Sequence, residues 1–474
     1  MRGVHGVDEI RTAENELMAR LPEGALMARA ATGLAVECAR LLGPVYGARV
    51  VLLVGAGNNG GDALYAGAWL ARRGVRATAL LLAPDKAHPG GLAAFRAAGG
   101  RTADPTPAAL AGADLVLDGI VGIGGTGGLR DEAVPLAQAA RDALTVAVDV
   151  PSGVDADTGA VEGETVHADV TVTFGALKPG LVVGTGAERA GELRLVDIGL
   201  AATLPAASTH VFEAADVAAL LPTPGAADNK YTRGVLGVAA GSSAYPGAGV
   251  LCTGSAINGG AGMIRYVGTA ADAIRAQYPE VVVQEGAAPD DLHVQAWVAG
   301  PGMGTDDAAH DLLAAVLATG EPAVVDADGI TLVGSSPGLV RDRDAPTVLT
   351  PHDGEFARIA DGPSGDRLAS VRAAARDLDA VVLLKGNATV IAAPDGRAWV
   401  NRTGTPWLGT AGSGDVLSGL IGSLLAAGLE APLAAAVGAY VHGVAGQLAA
   451  QGGPPSSLDV LHAVRPALRE IGRG

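Results

Sequence analysis

Residues 409–420 read GTAGSGDVLSGL, a glycine-rich turn that runs into an apolar stretch and carries one acid, Asp415. Exposed backbone N–H groups at a turn that opens a helix, together with the helix dipole, attract phosphate. A carboxylate beside such a cradle is repelled by its ligand, so it is expected to work as the base that readies a hydroxyl for phosphoryl transfer. Its bland alternative is to stabilise its own helix by about 0.3–1 kcal/mol. A second anchor is LLKGNAT (383–389), in which Lys385, Gly386 and Thr389 end a strand. TPHDGEF (350–356) adds His352 and Glu355 at another strand end, in a turn that also holds a rigid proline and a flexible glycine.

The first half holds a different set. In GAGNNGGDALYAG (55–67), Gly55, Gly57 and Gly60 satisfy G-x-G-x-x-G, the pattern that lets backbone approach a pyrophosphate. Asn58, Asn59 and Asp62 fill the loop with polar side chains. Asp118 precedes GIVGIGGTGG, and Asp149 and Ser152 open DVPSGVDADTG. Strand-end acids are often helix caps, but three such β–α loops converge on one crevice. A partly desolvated carboxylate there can carry a proton to and from a substrate. Carboxamide, carboxylate and serine oxygens suit a hard cation.

The elements that must position these groups alternate. RVVLLVG (49–55), RATALLLA (76–83), ADLVLDGIVG (113–122) and LTVAVDVPSG (144–153) read as buried parallel strands separated by alanine-rich helices. A proline- and alanine-rich linker is expected around 205–213, after which a second alternating series begins. The chain of 474 residues is expected to form two α/β domains, 1–211 and 212–474. Its net charge of −17 argues against nucleic acid or an anionic membrane as partner. VLSGLIGSLLAAGL, the longest apolar stretch, is too short to span a membrane and reads as a buried helix. Two cysteines far apart in sequence argue against a disulfide framework, and the N-terminus carries acids early, so a cytoplasmic enzyme is expected. Only four of the 33 basic residues are lysines: Lys86, Lys178, Lys230 and Lys385. A chain so biased towards arginine keeps lysine by chance or where a compact point charge is needed.

GNNGGD, DGIVGIGGTG, DVPSGVDADTG and FGALKPG (174–180) resemble the NAD(P)H-hydrate epimerase domain over roughly 9–210. The resemblance implies a Rossmann-like three-layer fold that takes the dinucleotide as a damaged substrate. Asn58, Asn59, Gly60, Gly61 and Asp62 would cradle it with Gly122, Ile123, Gly124, Gly125, Thr126, Gly127 and Gly128. Asp149 would contact the reacting hydrate, and Asn59, Asp118 and Ser152 would ligate potassium. Ala63 departs from the glycine usual in this family.

NKYTRG, AGSSAYPGAGVL, AGPGMG, VVDADG, TPHDGE, KGNAT and GTAGSGDVLSG resemble, in order, the ribokinase-like ADP-dependent NAD(P)H-hydrate dehydratase over about 213–472. The resemblance implies that Ala248, Gly302, His352 and Asp415 contact the hydrated nucleotide. Lys385, Gly386, Asn387, Ala388, Thr389 and Gly414 would hold the adenylate. Asp415 would deprotonate the ring hydroxyl as it attacks the terminal phosphate of ADP, with phosphate then leaving. The products would be NAD(P)H, AMP and phosphate. Magnesium is expected from the phosphate chemistry, and NADHX and NADPHX are the implied substrates. The chain is further expected to form a homo-oligomer.

Three other readings differ in class. A ribokinase-like vitamin or sugar kinase with a regulatory nucleotide-binding domain would release a stable phosphorylated product. The Asn-x-x-Glu metal motif of such kinases is absent from the second half. A binding or scaffolding first domain with a dead site is countered by Asp118, Asp149 and Ser152. A dehydrogenase would need a hydride-transfer substrate site, and no region offers a recognisable one.

Overall fold

The computed structural model describes residues 1–125 and 127–472; Thr126, one of the expected loop residues, lies outside them. The chain resolves into two compact units, Gly3–Ala207 and the segment from Ser208 onward with Met1–Arg2. After the short N-terminal β1 (Arg2–Val4), the first unit is built on β2 (Arg49–Val54), β3 (Arg76–Leu81), β4 (Arg101–Ala103), β5 (Leu115–Gly119), β6 (Leu144–Val148), β7 (Val170–Phe174) and β8 (Glu192–Val196).

These seven strands run in the order β4-β3-β2-β5-β6-β7-β8, and every pair is parallel. Val50, Leu52 and Val54 face one way, onto Leu34 and Leu64 of helices Ala25–Leu42 and Asn58–Ala71. Val51 and Leu53 face the other, onto Leu136 and Ala137 of helix Val134–Ala140. The unbroken apolar strands therefore signal burial on both faces, a three-layer arrangement. Sheet order reverses between β2 and β5, where Leu53 pairs with Asp118 and Val54 with Gly119. Open α/β sheets bind ligands at such a switch point.

The second unit begins where a linker is expected. Residues 209–211 form β9 (Thr209–Val211), which pairs in parallel with β18 (Ala398–Asn401), so Ser208 already belongs to this unit. Between them in sequence come β10 (Val235–Ala239), β11 (Met263–Val267), β12 (Val282–Val283), β13 (Ala296–Ala299), β14 (Ala323–Val325), β15 (Thr347–Leu349), β16 (Val381–Leu384) and β17 (Thr389–Ala392). From β9 the sheet runs β9-β18-β17-β16-β15-β14-β13-β10-β11-β12. Pairing is parallel except at β16–β17 and β17–β18, so Lys385–Ala388 is a turn between antiparallel strands.

Helix Ser413–Ala426 buries every residue from Val416 to Ala426, as its apolar sequence predicts. Helix Pro246–Asn258 lies against it. Ser255 Oγ donates to Val416 O at 2.5 Å, and a Cβ on Gly419 would stand 2.0 Å from Cys252 O. No helix among the described residues is long and apolar enough to cross a membrane.

Candidate active sites

In the first unit the fingerprint glycines are needed by the fold itself. A Cβ on Gly55 would lie 1.9 Å from Ile120 O, and one on Gly60 would lie 2.5 Å from Gly55 O. The helix starts at once, so Asn58–Asp62 form its first turns and not the loop expected from the sequence. Asn59, with its amide turned to satisfy both neighbours, donates to Val148 O at 3.0 Å and accepts from Gly122 N at 3.3 Å. One side chain thereby ties the helix to the end of β6 and to the Gly122 loop.

Asp118 ends β5 fully buried. Its Oδ1 accepts from Ser152 Oγ at 2.6 Å and Ile120 N at 3.3 Å, and its Oδ2 from Ser152 N at 2.8 Å. Burial pushes its pKa up to about 6 against those three bonds. Ser152 Oγ also accepts from Val121 N at 2.9 Å. Asp118 and Ser152 thus meet in a buried oxygen-rich knot beside the Gly122 loop that Asn59 holds.

Asp149 follows β6 with φ of +67°, a left-handed conformation rare outside glycine. Its Oδ1 accepts from Lys178 Nζ at 2.5 Å, Thr173 Oγ1 at 3.1 Å and Phe174 N at 3.1 Å. Lys178 is only 1% exposed and donates further to Thr173 Oγ1 and Phe174 O. Asp149 lines a cavity of about 1350 Å3 with Asn58, Asn59, Asp62, Gly122, Ile123 and Gly124. Glu14 and Arg11, from helix Val7–Met18, also line it. No motif marks them, because that helix is remote in chain order from every motif. Gly125, Gly127 and Gly128 continue the loop, which Leu129 N pins to Glu164 O at 2.9 Å.

The second unit gathers charge around Asp415, on the first turn of its buried helix. Lys385 Nζ reaches across to Asp326 Oδ1 at 2.8 Å and Glu355 Oε2 at 3.6 Å. Asp326, fully buried at the end of β14, also accepts from Ser418 Oγ at 2.6 Å, one turn along from Asp415. Burial opposes the charge on Asp326, yet Lys385 and the hydroxyl donors hold its pKa below the usual carboxylate range. Asp415 has no such bonds. Burial and then Asp326, with smaller additions from Asp328 and Glu355, push its pKa up to about 7 against the pull of Lys385. Ala327, next to Asp326, has φ of +51°. Strained residues of this kind gather at functional sites, and here two of them, Asp149 and Ala327, adjoin the two acid clusters.

His352 caps helix Asp353–Ile359, its Nδ1 accepting from Gly354 N at 3.0 Å and Glu355 N at 3.3 Å. Its Nε2 lies 3.4 Å from Glu355 Oε1, so His352 and Lys385 share that carboxylate. Gly302 has φ of +60°, and a Cβ there would stand 2.7 Å from the Cβ of Ala248. Gly304 N donates to Asp328 Oδ2 at 2.9 Å, tying the AGPGMG turn to the acid cluster. Lys385 Nζ would lie 3.4 Å from a Cβ on Gly414. Thr389 Oγ1 donates to Gly386 O at 3.2 Å, closing the turn through Asn387 and Ala388. Asp326 and Ser418 were not singled out in the sequence; the strand-end acid of VVDADG was the available signal for the first.

Each unit matches a known protein family. Residues 236–463 match the family model described as NAD(P)H-hydrate dehydratase, and residues 23–180 the YjeF-related protein N-terminus. A bifunctional NAD(P)H-hydrate repair enzyme of Mycobacterium tuberculosis is 53% identical over 92% of this chain and 92% of its own length. The chain belongs to the bifunctional NAD(P)H-hydrate repair enzymes. The repair enzyme of Mycobacterium leprae is 51% identical over 97% of this chain and 96% of its own. A ribokinase-like superfamily protein of Enterococcus faecalis aligns with 57% of this chain and 99% of its own, at a TM-score of 0.52 and 23% identity. That likeness shows the fold. As a repair enzyme of this family, the chain combines a dehydratase and an epimerase and acts on hydrated nicotinamide nucleotides.

Proposed function

We propose that residues 1–211 interconvert the R and S hydrates of NADH and NADPH, and that residues 212–474 dehydrate the S form at the expense of ADP. The observation that carries the second assignment is the contrast between Asp326 and Asp415. Asp326 is held charged by Lys385 and Ser418, whereas Asp415 is left with a pKa near 7 at the mouth of a phosphate-binding helix. A base works best when its pKa lies near the working pH.

Asp415 takes the proton from the ring hydroxyl as that oxygen attacks the terminal phosphorus of ADP, breaking the bond to the bridging oxygen, which leaves with AMP. Phosphate then leaves the ester with the C–O electron pair, pushed out by the ring-nitrogen lone pair. Loss of a proton from the neighbouring ring carbon restores the dihydronicotinamide. Ala248 and Gly302 offer a close, side-chain-poor surface to the hydrate, and His352 borders it. Lys385–Thr389 and Gly414 form the adenylate end. Among the described residues no group of three or more His, Cys, Asp or Glu is arranged to hold an ion. Magnesium commonly keeps its waters and binds through phosphates with one or two carboxylates, so it fits here as an ion carried in by the nucleotide.

In the first unit Asp149 is the proton carrier. All three of its hydrogen bonds fall on Oδ1, leaving Oδ2 to face the substrate. Asn59, Asp118 and Ser152 present hard oxygens of the kind an alkali cation prefers, and potassium held there would fix the Gly122 loop. Products of the whole sequence are NAD(P)H, AMP and phosphate. The test supplies S-hydrate with ADP to the Asp415→Asn chain. ADP binding with no dehydration is expected; undiminished turnover would refute the assignment.

A further inference from the structure

Two carboxyl groups share the first-unit cavity in opposite electrostatic settings. Asp149 is compensated by Lys178, Thr173 and the Phe174 N–H. Asp62 is not. It lies on helix Asn58–Ala71, is 9% exposed, and its Oδ1 is buried with no hydrogen-bond partner. Its neighbours across the cavity are like charges: Asp149 at the end of β6, and Glu14 on helix Val7–Met18. Lys178 is committed to Asp149, and the three arginines that line the cavity, Arg11, Arg72 and Arg130, form no ion pair with Asp62. His88, which also lines the cavity and packs against Gly61, has its Nδ1 occupied by Gly91 N. A buried, unpaired carboxyl among acids takes up a proton rather than bear an uncompensated charge. Burial first, and then Asp149 and Glu14, hold the Asp62 pKa well above the ordinary range.

We infer that Asp62 is the general acid of the epimerase, protonating the ring nitrogen of the hydrate while Asp149 takes the proton of its hydroxyl. The inference rests on the proposed assignment of epimerisation to this unit. When Asp149 removes the hydroxyl proton, the O–H pair forms the carbonyl of an open-chain aldehyde. The bond from that carbon to the ring nitrogen breaks, its electron pair passes to nitrogen, and nitrogen receives the proton of Asp62. Rotation about the adjoining carbon–carbon bond presents the other face of the carbonyl. Reclosure then reverses each transfer: nitrogen attacks carbon, Asp62 recovers its proton, and Asp149 returns the other to oxygen. Both carboxyls end as they began, with no outside reagent. Pairs of titratable groups driven to opposite protonation states are the usual mark of an acid and its base.

The test is R-to-S conversion by the full chain, with the spontaneous rate subtracted, across pH. Asp62→Asn should lower kcat by about 10²–10⁴-fold with KM little changed. It should also abolish the alkaline fall of the wild-type profile, where the acid has lost its proton. Asp62→Ser, which removes the carboxyl with less bulk, should behave alike, and S-hydrate dehydration by the same samples reports that the chain is folded. A variant that keeps the wild-type rate, or loses rate yet keeps the alkaline fall, overturns the acid role. Asp149→Asn separates the two failures. If it collapses epimerisation while Asp62→Asn does not, only the acid is wrong; if neither matters, the epimerase assignment itself fails.

Discussion

Lys385 Nζ stands 2.8 Å from Asp326 Oδ1, and this pair sorts the charges of the second unit. Because Asp326 takes the ammonium and the Ser418 hydroxyl, it is fixed as an anion. Asp415, half-buried with no hydrogen bond of its own, is the carboxyl left with a raised pKa, and under the proposed assignment it is the one that changes protonation during turnover.

The rate of dehydration should therefore rise through pH 7. The pKa of Asp415 is raised to about 7, so the carboxyl is protonated and idle below that value and is a competent base above it. In a kcat–pH profile Asp415→Asn should remove this limb with a loss of about 10²–10⁴-fold. Melting at pH 8 should find the variant no less stable than the wild type, since a half-buried and poorly compensated charge has been removed.

Replacing Lys385 by Met strands a buried anion. The expected cost is about 3–5 kcal/mol, because the partner charge of Asp326 is lost while its desolvation remains. Adding Asp326→Asn should return much of that stability without returning activity. Urea titration of the two variants measures the difference. Equal stabilities would mean the pair is solvated.

Gly302→Ala should raise the KM for the hydrate more than it lowers kcat. The new Cβ would meet Ala248 at 2.7 Å, on a backbone whose φ of +60° already disfavours a side chain. The stability cost should be about 1–3 kcal/mol, typical of overpacking. An unchanged KM would show that the hydrate does not use this surface.

Potassium should stabilise the first unit increasingly as pH rises. The Asp118 pKa is raised to about 6, so between pH 4 and 6 the folded state holds a proton that the unfolded state has released. Stability therefore falls as pH rises through that window. A cation at Asp118 and Ser152 offsets the buried charge, so the gain in Tm from potassium over choline chloride should be larger at pH 8 than at pH 5. An equal gain at both would count against the site.

Strand ends were the legible part of this molecule. Asp118, Asp149 and Lys385 each follow a β-branched or leucine-rich run, and the pattern of the runs alone puts them on the ligand-binding edge of a sheet. What the sequence hid was who holds whom. The scarcity of lysine marks Lys86, Lys178, Lys230 and Lys385 alike and does not say that Lys178 and Lys385 each pair with one aspartate, since that pairing depends on strand order. Asn58–Asp62 read as a loop because glycine and asparagine favour turns. They form a helix because Gly55 and Gly60 let that helix close onto the sheet. Glu14 was invisible for a plainer reason: it enters from a surface helix with an ordinary amphipathic sequence.

The most direct test of the central claim is to give the intact chain S-hydrated NADH with ADP and follow dihydronicotinamide absorbance together with the phosphorus products. The account predicts recovery of absorbance with one AMP and one phosphate per NADH formed. A stable phosphorylated hydrate, or ADP left unused with no recovery, would contradict it.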